Sequence, residues 1–213
     1  MTSRFLEIVS TPSVCAAQAA NGSREVWPKS AARRTFDSFS DNEAAFIEAR
    51  DSFYLASVSQ TGWPYVQHRG GPPGFLKVLD AKTLGFADFR GNRQYVSLGN
   101  VAADDRVALI LMDYPNRARL KILAHMQSRD IGAEPDLAAR LVVPNYKGRP
   151  ERAFLLRLEA FDWNCPQHLT PRFTIAEIET AVAPLLARIA ALESENRTLR
   201  ARTADATSQE DHR

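Results

Sequence analysis

Arg69 lies in the run Tyr65-Val-Gln-His-Arg-Gly-Gly-Pro-Pro-Gly-Phe-Leu-Lys77, and Arg93 in Phe86-Ala-Asp-Phe-Arg-Gly-Asn-Arg-Gln-Tyr95. Both stand among glycines and amide side chains. Forked guanidinium donors, side-chain amides and sterically open backbone N–H groups are what a phosphate needs. The first cluster offers Gln67, His68, Arg69 and Gly70; the second offers Arg90, Asn92, Arg93 and Gln94. A short helix after the second would add the partial positive charge of its N-terminus. Either cluster alone also fits surface arginines beside turn glycines, and from the residues alone both readings stay open. Trp63, Tyr65, Phe75, Phe86, Phe89 and Tyr95 interleave the clusters and could stack on a heterocycle or fill a core.

The elements that must hold these residues read as β-rich. Strands are expected at Phe53–Ser59, Tyr65–Arg69, Phe75–Leu79, Thr83–Ala87, Val107–Met112, Arg119–Met126 and Ala153–Phe161. Short turn-punctuated strands with small helices between them, some six in all, predict a β-barrel rather than a parallel α/β sheet. Ser40-Asp-Asn-Glu43 is a capping box opening a helix through Ala49, and Asn92 to Asn100 reads as a second short helix. Residues 1–39 read as an irregular arm. At the other end Ile175, Ile178, Val182, Leu185, Ile189, Leu192, Asn196 and Leu199 alternate steps of three and four. That is the seam of a coiled coil over residues 173–202, although residues 174–190 also fit an amphipathic helix packed on its own barrel. Pro184 predicts a kink or restart, and residues 203–213 read as a disordered polar tail.

Bulk composition narrows the function classes. With 213 residues, 45% hydrophobic and 24% charged, the chain can bury one sizeable core. A net charge of +2 gives no global field to recruit nucleic acid or an anionic membrane, so any anion site is local. No apolar run reaches the roughly 18 residues of a membrane span. Cys15 and Cys165, far apart, suggest a reducing cytoplasm rather than a disulfide framework. Cys165-Pro-Gln-His168 lacks the second ligand pair of a zinc site, and no metal is expected. No Rossmann or P-loop glycine pattern occurs.

Taken in order, several runs resemble the pyridoxamine 5′-phosphate oxidase-like family of FMN-binding split barrels. They are Phe53-Tyr-Leu-Ala-Ser-Val-Ser59, Gly62-Trp-Pro-Tyr65, Gln67 to Lys77, Phe86 to Tyr95 with Gly99-Asn100, Leu111 to Ile122, and Asn164 to His168. The resemblance spans residues 40–172. It implies an α+β fold built on a six-stranded split barrel, and a homodimer with FMN in each of two clefts between subunits. It also implies residue roles. Arg69 and Lys77 match the phosphate-binding strand and hairpin, while Asn92, Arg93 and Gln94 match the segment that closes on the phosphate. Arg119 and Lys121 match the strand running past the flavin, and Trp163 to His168 match the part that reaches the partner's flavin. Gln94 stands where a lysine is common, and the arginine-histidine clamp of enzymes that oxidise pyridoxamine phosphate is missing.

The expectation is therefore an FMN-dependent oxidoreductase drawing on a reduced nicotinamide, NADH or NADPH, and acting on an unidentified small substrate. The other reading is a non-enzymatic flavin or haem binder or sensor, in which His68 or His125 would be an axial ligand.

Overall fold

A computed structural model describes residues 4–26 and 37–210. The chain divides into two units, residues 1–169 and 170–213. The first contains α1 (Arg4–Val9), α2 (Pro12–Ala20), α3 (Asp41–Glu48), β1 (Ser52–Val58), β2 (Pro64–Gly70), β3 (Lys77–Asp80) and β4 (Thr83–Phe89). It continues with α4 (Val96–Ala103), β5 (Arg106–Asp113), β6 (Ala118–Arg129), α5 (Pro135–Leu141) and β7 (Pro150–Asn164). The second unit carries one helix, α6 (Ile175–Glu210).

All seven strands form one antiparallel sheet in the order β2-β1-β5-β6-β7-β4-β3. The fold is thus α+β. Each of the seven expected strand runs yields a strand, so the sheet has seven strands rather than the six of the expected barrel. Strand β3, expected at Phe75–Leu79, begins at Lys77, lies at the sheet edge and hairpins onto β4. Phe53 of β1 meets Phe86 of β4 edge to face, with ring centroids 5.4 Å apart, and Phe86 lies 5.5 Å from Phe154 of β7. Strands β1 and β4 are second and sixth in the sheet, so the sheet curls around these rings. No backbone ladder joins the two edges among the described residues. Each fully buried ring contributes about 1.5–3 kcal/mol through apolar area removed from water.

Local chemistry explains where boundaries differ from the sequence reading. The capping box forms: the Ser40 N–H donates to Glu43 Oε2 at 3.1 Å. The second short helix begins at Val96 rather than Asn92. The Asn92 side chain accepts the Gln94 N–H at 3.1 Å, and Arg93 and Tyr95 take left-handed φ of 65° and 53°. That turn excludes helical geometry until Tyr95 is passed. In place of an irregular arm, the N-terminal segment holds two short helices. Pro12 pre-sets the first turn of α2 and Thr11 Oγ1 accepts the Val14 N–H. Part of the arm, residues 27–36, lies outside the described residues.

Within the second unit, Thr174 and Glu177 form a capping box that the sequence reading overlooked, with the Thr174 N–H donating to Glu177 Oε2 at 2.7 Å. The helix then runs through Pro184 without a restart and ends at Glu210. It passes residue 202, where a disordered tail was expected to begin; residues 211–213 lie outside the described set.

Candidate functional site

Period-2 alternation decides which residues of β2 can share a site. Tyr65, Gln67 and Arg69 fall on the half-buried face, whereas Val66, His68 and Gly70 fall on the exposed one. His68 accordingly packs against Tyr54, its cross-strand partner on β1, at 5.5 Å. The half-buried face meets the end of β4 and the loop into α4. Together they line a cleft of about 200 Å³ that includes Tyr65, Gln67, Arg69, Asp88, Phe89, Asn92, Arg93, Gln94, Ser97 and Glu151. Helix α4 is fixed at this cleft by a buried hydrogen bond from Asn100 Nδ2 to Ser57 Oγ at 3.0 Å. Its first turn carries no side-chain cap, which leaves backbone donors at the cleft.

The electrostatics centre on Asp88. Arg69 Nη1 donates to Asp88 Oδ1 at 2.6 Å, and Arg152 Nη1 stands 3.8 Å from Asp88 Oδ2. Arg152 Nη2 also lies 3.3 Å from Glu151 Oε2, Arg90 Nε 3.7 Å from Glu151 Oε1, and the Tyr95 hydroxyl donates to Glu151 at 3.1 Å. Burial pushes the Asp88 carboxyl above its ordinary value, against the opposing pull of Arg69 and Arg152. Two guanidinium groups (Arg69, Arg93) and two carboxylates (Asp88, Glu151) line the cleft, while Arg90 and Arg152, outside its lining, pair with those carboxylates. Among the described residues two buried donor atoms, Arg69 Nε and Arg152 Nη1, have no hydrogen-bond partner, although Arg152 Nη1 is within ion-pair range of Asp88. Arg93, among the same residues, makes no ion pair; it is exposed and lines the cleft.

The glycines of the first cluster, Gly70, Gly71 and Gly74, do not line this cleft. The Gly71 N–H donates to Asp51 O at 2.9 Å, and a Cβ at Gly71 would stand 2.7 Å from Phe75 Cγ. Gly74 takes φ +82° to turn the chain into β3. Gly91, by contrast, lines the cleft with open space around it.

The remaining candidate residues are not lining residues of this cleft. Lys77 begins β3 with its ammonium beside Gly74. Arg119 donates to Cys165 O at 3.2 Å, and Lys121 pairs with Asp162 at 2.7 Å while covering the Phe5 ring. The Trp163 indole donates to Glu43 Oε1 at 2.8 Å and packs edge-on against Phe46. His125 faces Asp105 at 2.8 Å, remote in sequence from Arg69 and Arg93. Among the described residues, no group of three His, Cys, Asp or Glu side chains is placed to hold a metal ion, and no helix is long and apolar enough to cross a membrane.

The pattern of the family described as pyridoxamine 5′-phosphate oxidase matches residues 39–155, more than half of the chain. The chain belongs to that family. No curated protein matches it in sequence. Among solved structures it is similar to a putative pyridoxamine 5′-phosphate oxidase of Lactobacillus delbrueckii, at 20% identity and TM-score 0.45 over 59% of this chain and 94% of that one. It is also similar to an FMN-binding protein of Syntrophomonas wolfei, at 12% identity and TM-score 0.44 over 69% and 97%. HupZ of Group A Streptococcus aligns at 11% identity and TM-score 0.45 over 63% and 99%.

Within this family member, the matched segment contains the whole of β2, β4 and α4, and hence both arginine clusters. Residues that the sequence reading passed over are Asp88, Glu151 and Arg152. The first stood inside a quoted run but looked like one acid among many. The register of β4 on β7 sets Asp88 opposite Arg152, a pairing across 64 residues that no local pattern announces.

Proposed function

We propose that this chain binds FMN, with the phosphate in the cleft between β2 and α4, and works as a cytoplasmic FMN-dependent oxidoreductase. The observation that carries the reading is Arg69, whose buried Nε has no hydrogen-bond partner among the described residues, sharing one cleft with an uncapped helix start and an exposed Arg93. A buried donor without a partner costs about 1–3 kcal/mol, so a site that keeps one is suited to an acceptor. With Arg90 and Arg152 pairing the two cleft carboxylates, Arg93 is left for a phosphate. Arg69 is held in place by Asp88, which leaves its guanidinium oriented before the ligand arrives.

Bound FMN would supply the hydride or electron transfer, between a reduced nicotinamide and a small substrate. The protein's part is to hold, orient and shield. Gln67 lines the same cleft beside Tyr65, whose hydroxyl donates to the Gln67 side-chain oxygen while the Gln67 amide nitrogen donates to His68 O at 3.2 Å; the two bonds fix the side chain in the cleft wall. Phe89, held edge-on by Tyr146 at 4.8 Å, gives the cleft an apolar wall. Lys77, Arg119, Lys121 and Trp163 would act, on this reading, through a second subunit. A homodimer is supported by the outer face of β1 and β2, where Tyr54, Val58 and Val66 are exposed and Trp63 is 76% accessible. The cytoplasmic assignment rests on two cysteines that are both free.

The visible spectrum of the purified protein tests the cofactor, and anaerobic addition of NADH or NADPH tests turnover. A flavin band that bleaches on addition is the expected result. A Soret band would favour the haem-binding alternative, and a colourless protein that refuses FMN would overturn the proposal.

A further inference from the structure

Helix α6 keeps one apolar stripe in the open. Ile175, Leu185 and Ile189 are 77%, 63% and 52% accessible, and over residues 175–201, where burial is described, only Val182 is even partly buried. An isolated helix with that much aliphatic surface is poorly stable in water, so the stripe calls for a partner. The sequence of the stripe says which one.

Written as heptads, positions a are Ile175, Val182, Ile189 and Asn196, and positions d are Ile178, Leu185, Leu192 and Leu199. β-Branched residues at a with leucine at d favour two parallel strands, because those side-chain shapes fit the two-stranded knob-into-hole geometry. Asn196 at a favours the same pairing: in a parallel, in-register pair the two amides meet and bond each other. In an antiparallel pair Asn196 would lie against an aliphatic seam residue with its amide unpaired, at a cost of about 1–3 kcal/mol. The flanks agree. In a parallel pair each g residue faces the e residue five positions on in the other strand. Position g holds Arg188 and Glu195; five residues on, position e holds Glu193 and Arg200. Both contacts then pair opposite charges, with the sign reversed between them. A one-heptad slip would set Arg188 against Arg200. Pro184 falls at c, on the outer surface, which is why it sits in the helix without breaking the seam.

We propose that α6 pairs with α6 of a second copy of this chain as a parallel, in-register, two-stranded coiled coil. The pairing is set by Asn196 and by reciprocal Arg188–Glu193 and Glu195–Arg200 contacts between strands. It does not depend on the flavin reading.

The test uses the full chain with Cys15→Ser and Cys165→Ser as background, oxidised and run on a non-reducing gel. Leu192→Cys, at d, converts to a disulfide-linked dimer, while Ser194→Cys, on the outer surface at f, does not. Arg188→Glu added to Leu192→Cys reduces the linked dimer, and adding Glu193→Arg to that variant restores it. Absence of the Leu192→Cys product, or equal linking at Leu192 and Ser194, overturns the parallel in-register seam. Failure of the charge swap to restore linking overturns the assigned register.

Discussion

Arg69 and Asp88 lie first and sixth across the sheet, on β2 and β4, yet their side chains meet at 2.6 Å. That contact closes the curled sheet at the cleft and ties the principal guanidinium to a buried acid. It also sets up a competition, because Asp88 occupies one arm of Arg69 that an anion would otherwise take. Asp88→Asn removes the charge and keeps an oxygen for Arg69. Inorganic phosphate and FMN should then bind about 1–2 kcal/mol more tightly at neutral pH, the scale of one partly screened unit charge. Because the asparagine oxygen still orients Arg69, the prediction isolates the charge. Titration calorimetry on both proteins checks it, and weaker binding by the variant would show that the hydrogen bond to an ionised Asp88 is needed to hold Arg69 in place.

The same carboxyl gives a pH signature. Its folded-state pKa is raised, chiefly by burial, so the folded protein holds this proton more tightly than the unfolded chain. Asp88 therefore favours folding most at low pH, and that contribution is lost as pH rises from the ordinary aspartate range through the raised value. Across that window the wild type should lose stability relative to Asp88→Asn. Urea unfolding of the pair at several pH values measures it.

Glu43 works in the opposite sense. Burial alone would raise its pKa, but hydrogen bonds from Ser40 and the Trp163 indole outweigh burial and carry it below the usual glutamate value. Its stabilisation is present above the unfolded glutamate pKa and is lost as pH falls through the lowered one. Trp163→Phe should cost about 1–3 kcal/mol at pH 7, since Glu43 Oε1 loses its partner. The loss should shrink in acid; a pH-independent cost would assign it to packing on Phe46 instead.

Gly71→Ala separates the two roles a glycine beside Arg69 could have. A Cβ 2.7 Å from Phe75 Cγ must displace that ring, at a cost of about 1–3 kcal/mol in stability. Because Gly71 does not line the cleft, flavin content per folded molecule should stay unchanged. A large loss of flavin with little loss of stability would restore the idea that its backbone approaches the anion.

Arg93 has no ion pair to lose among the described residues, so Arg93→Ala should leave the melting temperature nearly unchanged. It should weaken FMN by about 1.5–3 kcal/mol, as loss of a charge-assisted hydrogen bond does. Stoichiometric flavin retained at sub-micromolar protein would remove Arg93 from the site.

How much of this was legible in the sequence depends on range. The capping box at Ser40 and the strand runs are local patterns, and both appear; the segment with three-four spacing forms the helix α6. The two arginine clusters were legible as well, because Arg69 and Arg93 each stand in a short distinctive run. What was not legible depends on pairing between distant strands. Nothing near Asp88 announces Arg152, which only the β4–β7 register brings opposite. His68 shows the reverse: strand alternation already assigned it to the face opposite Arg69, and grouping it by proximity in the chain obscured that. The glycines after Arg69 looked like anion contacts, but Phe75 four residues on from Gly71 explains that position through packing.

The most direct test of the central claim compares FMN with riboflavin, which differ at the phosphate. If Arg69, Arg93 and the start of α4 hold that group, the protein binds FMN and takes riboflavin at least roughly a hundredfold more weakly, as loss of two charge-assisted contacts implies. Equal affinity for the two would contradict the phosphate cleft, and refusal of both would contradict flavin binding altogether.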